Sequence, residues 1–102
     1  MWALYRWRVK AGEEETFAKA WERATKAIQE KVQGAQGSML LRSRRDAAEF
    51  VASSRWDSFD EWLAFMQSDE AELAMFGVRS GSAEMVSAEV LDELGDLPAG
   101  EQ

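Results

Sequence analysis

The amino-acid sequence predicts an α+β fold, a four-stranded antiparallel sheet carrying its helices on one face. Three observations carry that expectation: segments that alternate with period two, long stretches with an apolar stripe at helical spacing, and their order along the chain. Residues 2 to 9 set Ala3, Tyr5, Trp7 and Val9 against Trp2, Leu4, Arg6 and Arg8, a strand pattern rich in aromatic residues. Gly12 and the run Glu13-Glu14-Glu15 then open a helix, where negative charge suits the positive end of the dipole. Phe17, Trp21, Ala24, Ile28 and Val32 form its stripe, and Glu15/Lys19 and Glu22/Lys26 stand in the favourable order for ion pairs. Gly34 and Gly37 are expected to end it.

Ser38 to Arg44 and Glu49 to Trp56 read as two strands joined by a polar turn around Asp46. Ser58, followed three residues later by Glu61, is a capping box opening a helix with Trp62, Phe65 and Met66 on its apolar face. A second start at Asp69 and Glu72 predicts a break near Ser68 and a further short helix carrying Leu73 and Phe76, with Gly77 and Gly81 bracketing its exit. Val86, Ala88 and Val90 alternate with Met85, Ser87, Glu89 and Leu91 in a fourth strand. Residues 93 to 102, with two glycines and the only proline, Pro98, have little apolar surface to offset the entropy of ordering. The expected organisation is one domain over residues 1–92 and a loose C-terminal tail over 93–102.

Composition excludes several chemistries. The chain of 102 residues is 46% hydrophobic and 11% aromatic, which argues against disorder. Its 12 basic and 19 acidic residues leave a charge of −7, which repels nucleic-acid backbones and anionic membranes. The cluster Arg42, Arg44 and Arg45 is too small to reverse that balance; it reads as a solvated hairpin end or as an anchor for an acidic group on a ligand. Without cysteine there are no disulfides, thiolate nucleophiles or thiolate metal sites, and without histidine the commonest proton shuttle and metal ligand are missing. No secretory signal or apolar run long enough to span a membrane is visible, so a cytoplasmic location is expected.

The strand–helix–strand–strand–helix–strand order puts both helices on one sheet face, yet Leu4, Val51 and one side of the second strand offer apolar groups to the other. A second copy packed sheet to sheet would cover them, giving a two-fold homodimer. Arg6 and Arg8, on the same side as Leu4, then need carboxylate partners, for which Glu84 and Glu89 are candidates, or a place at the rim.

Two segments resemble those of antibiotic biosynthesis monooxygenase-type domains. Val9-Lys10-Ala11-Gly12 before an acidic helix start is similar to the family's Val-Lys-Pro-Gly segment. Arg55-Trp56-Asp57-Ser58, then Glu61-Trp62 and Phe65, resembles its second signature, a tryptophan ending the third strand ahead of a capped aromatic helix. The resemblance covers roughly residues 2 to 92. It implies a ferredoxin-like βαββαβ protomer, a dimeric α+β barrel, and a small-ligand pocket between sheet and helices. Family activities include cofactor-free oxygenation of polycyclic phenols, quinol oxygenation and haem degradation. Phe65 stands where many members carry histidine, and the haem branch's axial histidine, pocket asparagine and helix tryptophan would fall at Met75, Tyr5 and Phe65. The resemblance therefore speaks against haem and implies no cofactor.

Under this reading Tyr5 is the candidate catalytic residue, a phenolic donor orienting a substrate oxygen, with Trp7 as a flat wall beside it. Ser54, Trp56, Trp62, Phe65 and Met75 complete the expected substrate pocket. Each has a packing interpretation as well, as part of an aromatic core. Oxygenation without metal or flavin needs a substrate, such as a phenol or enol, that donates its own electrons to dioxygen once deprotonated. With histidine absent, the base is left to a carboxylate of raised pKa, an ionised Tyr5, or water. The expected function is a cofactor-independent monooxygenase of a small aromatic or quinol-like metabolite; the alternative is a non-catalytic homodimeric domain that binds a small apolar molecule or serves a structural role.

Overall fold

The computed structural model describes residues 1–79 and 81–100. Its elements are β1 (Trp2–Val9), α1 (Glu14–Lys31), β2 (Ala35–Arg42), β3 (Glu49–Trp56), α2 (Phe59–Met66), α3 (Asp69–Arg79) and β4 (Ala83–Leu91). The strands form one antiparallel sheet in the order β2-β3-β1-β4. The fold is α+β and ferredoxin-like, with the second helical segment divided in two.

The period-two reading of β1 holds: Ala3, Tyr5, Trp7 and Val9 are buried under the helices. Phe50, Ala52 and Trp56 of β3 join them. Phe17 of α1 is fully buried, with its ring 5.4 Å from Trp7 and 5.3 Å from Phe50. The stripe of Trp21, Ala24, Ile28 and Val32 packs half-buried against that core. On the solvent side Lys19–Glu15 and Lys26–Glu22 are ion pairs at 3.0 Å.

Several boundaries differ from expectation. The helix ends at Lys31, Val32 is already extended, and Gly34 turns the chain at φ +89°. Strand β2 therefore starts at Ala35 rather than Ser38, ends at Arg42 rather than Arg44, and includes Gly37. Its register with β3 shifts between Ala35 and Ser38, the irregularity that a side-chain-free residue permits. In the cap of α2 the Ser58 hydroxyl accepts from the Glu61 N–H at 3.2 Å, as predicted. The reciprocal bond is different: Ser58 Oγ itself donates to the Glu61 carboxylate at 3.0 Å. The break falls at Ser68, and Ser68 rather than Asp69 caps α3, accepting from the Ala71 N–H at 3.3 Å. Helix α3 continues past Gly77 to Arg79, leaving Gly81 at φ +74° to turn into β4. The expected apolar contribution of Phe76 lies outside the described residues.

Strand β4 departs most. A register shift opposite Arg6 and Trp7 pairs Trp7 with Met85 but Arg6 with Ser87, so Val86 is the extra residue. Met85 consequently shares the helix-side face with Ala88 and Val90, and Val86 is exposed, contrary to simple alternation.

The other sheet face carries Leu4 and Val51, both half-buried, beside Met39 and Leu41, which are 57% and 49% exposed. Arg6 sits among them between Glu49 at 3.5 Å and Glu89 at 3.9 Å. Of the two carboxylates expected there, Glu89 is used and Glu84 is not; Arg8 pairs instead with Asp46 at 3.0 Å. The Ala48 N–H, and after it the Arg8 contact, hold the Asp46 carboxyl below its usual range. Beyond β4, Glu93 accepts from Trp2 Nε1 at 2.8 Å, while Leu94 and Leu97 are exposed. Among the described residues, no helix is long and apolar enough to cross a membrane.

Candidate functional site

The helix-side face of the sheet is built in rows across the strands. One row runs Leu40, Ala52, Tyr5 and Ala88; the next runs Ser38, Ser54, Ala3 and Val90. Tyr5 is thus flanked by Ala52 and Ala88 in its own row and by Ser54 and Ala3 in the next, while the helices above present Trp21, Phe65 and Met75. Large groups over small ones leave a gap. The gap is a cavity of about 60 Å³ between the sheet and the helices, lined by Tyr5, Trp7, Ser54, Phe65 and Met75 among others.

Five expected site residues therefore come together around one space: Tyr5, Trp7, Ser54, Phe65 and Met75. The other two stand one layer back. Trp62 Nε1 donates to the Tyr5 hydroxyl at 2.9 Å, and Trp56 Nε1 donates to Ser54 Oγ at 3.1 Å. Trp56 also packs against Phe65, ring centroids 5.4 Å apart. These two tryptophans orient the polar groups of the wall and do not themselves border the space. Sequence reading missed Trp21, Thr25 and Ser38, which line the cavity as well. A signal for Thr25 exists: it is a polar residue one turn beyond Trp21 on a helix whose stripe is otherwise apolar.

The electrostatics favour a neutral site. Burial pushes the Tyr5 phenol above the ordinary 10.0, and hydrogen bonding with Trp62 and Ser54 offsets this only in part. Tyr5 is thus a neutral phenol at physiological pH, able to donate a hydrogen bond, which argues against an ionised Tyr5 as base. Its hydroxyl lies 3.9 Å from Met66 Sδ, a weak acceptor, so its proton stays available for a stronger one. Among the described residues, none of those lining the cavity is a carboxylate. The basic cluster lies elsewhere. Arg42 donates to the Ala47 carbonyl at 3.0 Å and stacks over Phe50, bracing the hairpin, and none of Arg42, Arg44 and Arg45 borders the cavity.

Haem does not fit this site. The cavity is far smaller than a porphyrin, and the position matching the family's axial ligand is Met75, a weak thioether donor.

The antibiotic biosynthesis monooxygenase family profile matches residues 3–76. No curated protein gives a significant match. Among solved structures, SnoaB from Streptomyces nogalater, described as a cofactor-independent oxygenase, superposes with a TM-score of 0.77 at 18% identity over 95% of each chain. A candidate antibiotic biosynthesis monooxygenase from Caulobacter crescentus gives 0.75 at 15% identity, covering 92% of this chain and 89% of its own. One from Bordetella bronchiseptica gives 0.73 at 18%, covering 90% and 96%. At these identities the likenesses show the fold alone; the profile match, spanning both segments that resembled the family, goes further. This chain belongs to the antibiotic biosynthesis monooxygenase family.

Proposed function

We propose that the chain is a cofactor-independent monooxygenase of a small electron-rich aromatic, a phenol or quinol-like metabolite, working as a homodimer through the outer sheet face. The carrying observation is Tyr5: a buried neutral phenol, held by Trp62, at the wall of an aromatic cavity with no carboxylate among its described lining residues. Such a site gives a deprotonated substrate a dry surface and a hydrogen-bond donor for its oxygen. The substrate enters as an anion or loses its proton to water. It passes an electron to dioxygen, and the radicals combine as a peroxide anion that takes a proton back from water. The hydroperoxide carbon then gives up its remaining hydrogen as water leaves, which keeps one oxygen atom on that carbon as a new carbonyl. SnoaB, described as a cofactor-independent oxygenase, supports this reading by its fold.

Oxygen uptake with a panel of anthrone-like and quinol substrates tests the proposal. Uptake should persist in chelator-treated protein and fall about a hundredfold on Tyr5→Phe, the lower range for loss of a positioned donor or acid. No uptake across the panel would overturn it.

A second reading, a non-catalytic homodimeric binding or structural domain, is favoured by one observation. A cavity of about 60 Å³ lies well below the roughly 300 Å³ at which ligand pockets begin. The oxygenase reading therefore requires the wall to yield on binding, and Met75, half-buried and unbranched, is the side chain suited to move.

A further inference from the structure

The chain beyond β4 is tethered at its start. The Glu93 carboxylate accepts from Trp2 Nε1 at 2.8 Å and from Arg55 at 3.4 Å, and the Arg55 guanidinium in turn lies over the Trp2 ring. Trp2 pairs with Arg55 across β1 and β3, and the two share strand parity with Leu4 and Ser53. Both therefore stand on the outer sheet face, and the tether brings the C-terminal segment to that face rather than to the helices. Leu94 and Leu97 follow at 97% and 95% exposure. One exposed leucine needs no explanation. These two, however, continue an exposed apolar strip that already holds Leu91, opposite Trp2, with Met39 and Leu41 on the same face. A strip of that kind marks an interface.

The same end of the outer face carries a recess of about 520 Å³, bordered by Trp2, Met39 and Arg55 and by Gln36 and Gly37. Ser38 borders it too, and Ser38 also lines the inner cavity. Leu94 and Leu97 do not enter the recess of their own chain, since they are almost wholly exposed. Strands β4 and β2 are opposite edges of the sheet. A two-fold axis running along the strands would lay β4 of one copy over β2 of the other at the same end, carrying the segment onto the second copy's recess. We infer that residues 93–97 form an exchanged strap: Leu94 and Leu97 of one copy seat in the recess of a second copy, and the strap walls that copy's inner cavity on its Ser38 side. This rests on the homodimer reading and deepens it, because each cavity is then incomplete without the other chain's C-terminal segment.

The chain has no cysteine, so introduced thiols report without ambiguity. Gln36→Cys/Leu97→Cys protein, oxidised at micromolar concentration, should give a covalent dimer on a denaturing gel, and neither single variant should. Leu94→Ser/Leu97→Ser changes only groups that are exposed in the single chain, so folding is spared. It should weaken dimerisation at least about tenfold in sedimentation and speed amide hydrogen exchange at residues 36–39. A disulfide closed within one chain, no cross-link in the double-cysteine protein, a cross-link in either single variant, or a Leu→Ser pair that dimerises and exchanges as the wild type does would overturn the strap. The two readings fail separately. A wild-type dimer indifferent to these substitutions keeps the sheet-to-sheet pairing and loses the strap, whereas a monomeric wild type loses the pairing and the strap with it.

Discussion

Trp62 Nε1 donates to the Tyr5 hydroxyl at 2.9 Å, joining α2 to the centre of the sheet across a separation of 57 residues. The bond fixes which way the phenol faces and stabilises its ionised form relative to burial alone. Trp62→Phe should therefore push the Tyr5 pKa still further up and lower stability by about 1 kcal/mol, the usual net worth of a hydrogen bond. Tyr5 is the chain's only tyrosine, so alkaline titration of tyrosinate absorbance reads this one group. A curve unchanged by the substitution would mean that the bond does not govern the phenol.

The raised pKa also predicts how stability changes with pH. Folding keeps Tyr5 neutral beyond the pH at which the unfolded phenol ionises, so its contribution is fully present below the ordinary value of 10.0. As pH climbs above that value the unfolded chain gives up the proton first, and stability falls until the folded phenol follows. Urea midpoints measured at about pH 9 and about pH 11 should drop more for the wild type than for Tyr5→Phe. Parallel drops would show that Tyr5 titrates alike in both states.

Met75 lines the cavity together with Tyr5 and Trp7. Met75→Ala should enlarge it at a cost of about 2 kcal/mol, the low end for a core truncation because the side chain is only half-buried. If entry of an aromatic ligand is limited by this side chain, the variant should bind 1-tetralone more tightly than the wild type does, despite its lower Tm. Calorimetry and thermal denaturation read the two effects separately, and weaker binding would place the limiting wall elsewhere.

Much of this was legible in the sequence where one physical signal dominates. Strands β1 and β3 have strict alternation and no glycine, and both came out at their structural bounds. Where a local irregularity sets the geometry, alternation misleads: the extra Val86 in β4 reassigns Met85 to the core face, and Gly37 lets β2 begin before Ser38. The site divides the same way. Tyr5, Trp7 and Ser54 were readable because strand parity assigns their face. Trp56 and Trp62 share that parity or stripe, yet stand one layer back: Trp56 closes β3 and turns its indole to Ser54, and the three-dimensional path of α2 sets Trp62 on the Tyr5 hydroxyl. The Trp7 indole N–H, buried without a hydrogen-bond partner among the described residues, has no signature in sequence, since it depends on where every neighbouring acceptor lies.

Gly34 turns the chain between α1 and β2 at φ +89°, and a Cβ there would come within 2.7 Å of the Glu61 carboxyl carbon. Gly34→Ala should cost about 1–2 kcal/mol from the backbone conformation alone. It should also force Glu61 away from Ser58, loosening the cap of α2 and, through α2, the Trp62–Tyr5 bond. Its Tm should therefore fall further than that of Gly12→Ala, where the conformation is similar, at φ +88°, but the space is open. Equal losses at the two glycines would show that the Glu61 contact is inconsequential.

The proposed homodimer rests on the outer sheet face. Leu41 pairs with Val51, which neighbours Arg6; one row along, Met39, Ser53 and Leu4 lie side by side. Arg6 would oppose burial of this face if its charge stood alone, but Glu49 and Glu89 flank it, so the face proposed to meet a second copy carries its cation already matched. Met39 and Leu41, about half exposed here, are the groups that gain most from being covered. Wild-type protein should sediment as a dimer at micromolar concentration, and Leu41→Glu should weaken association at least about a hundredfold, since an unpaired charge desolvated at an interface opposes it by several kcal/mol. Because Leu41 is exposed in the single chain, the variant should retain the wild-type far-UV spectrum, separating lost assembly from lost folding. A wild type that sediments as a monomer, or a Leu41→Glu variant that still dimerises, would remove the sheet-to-sheet interface and the homodimer with it.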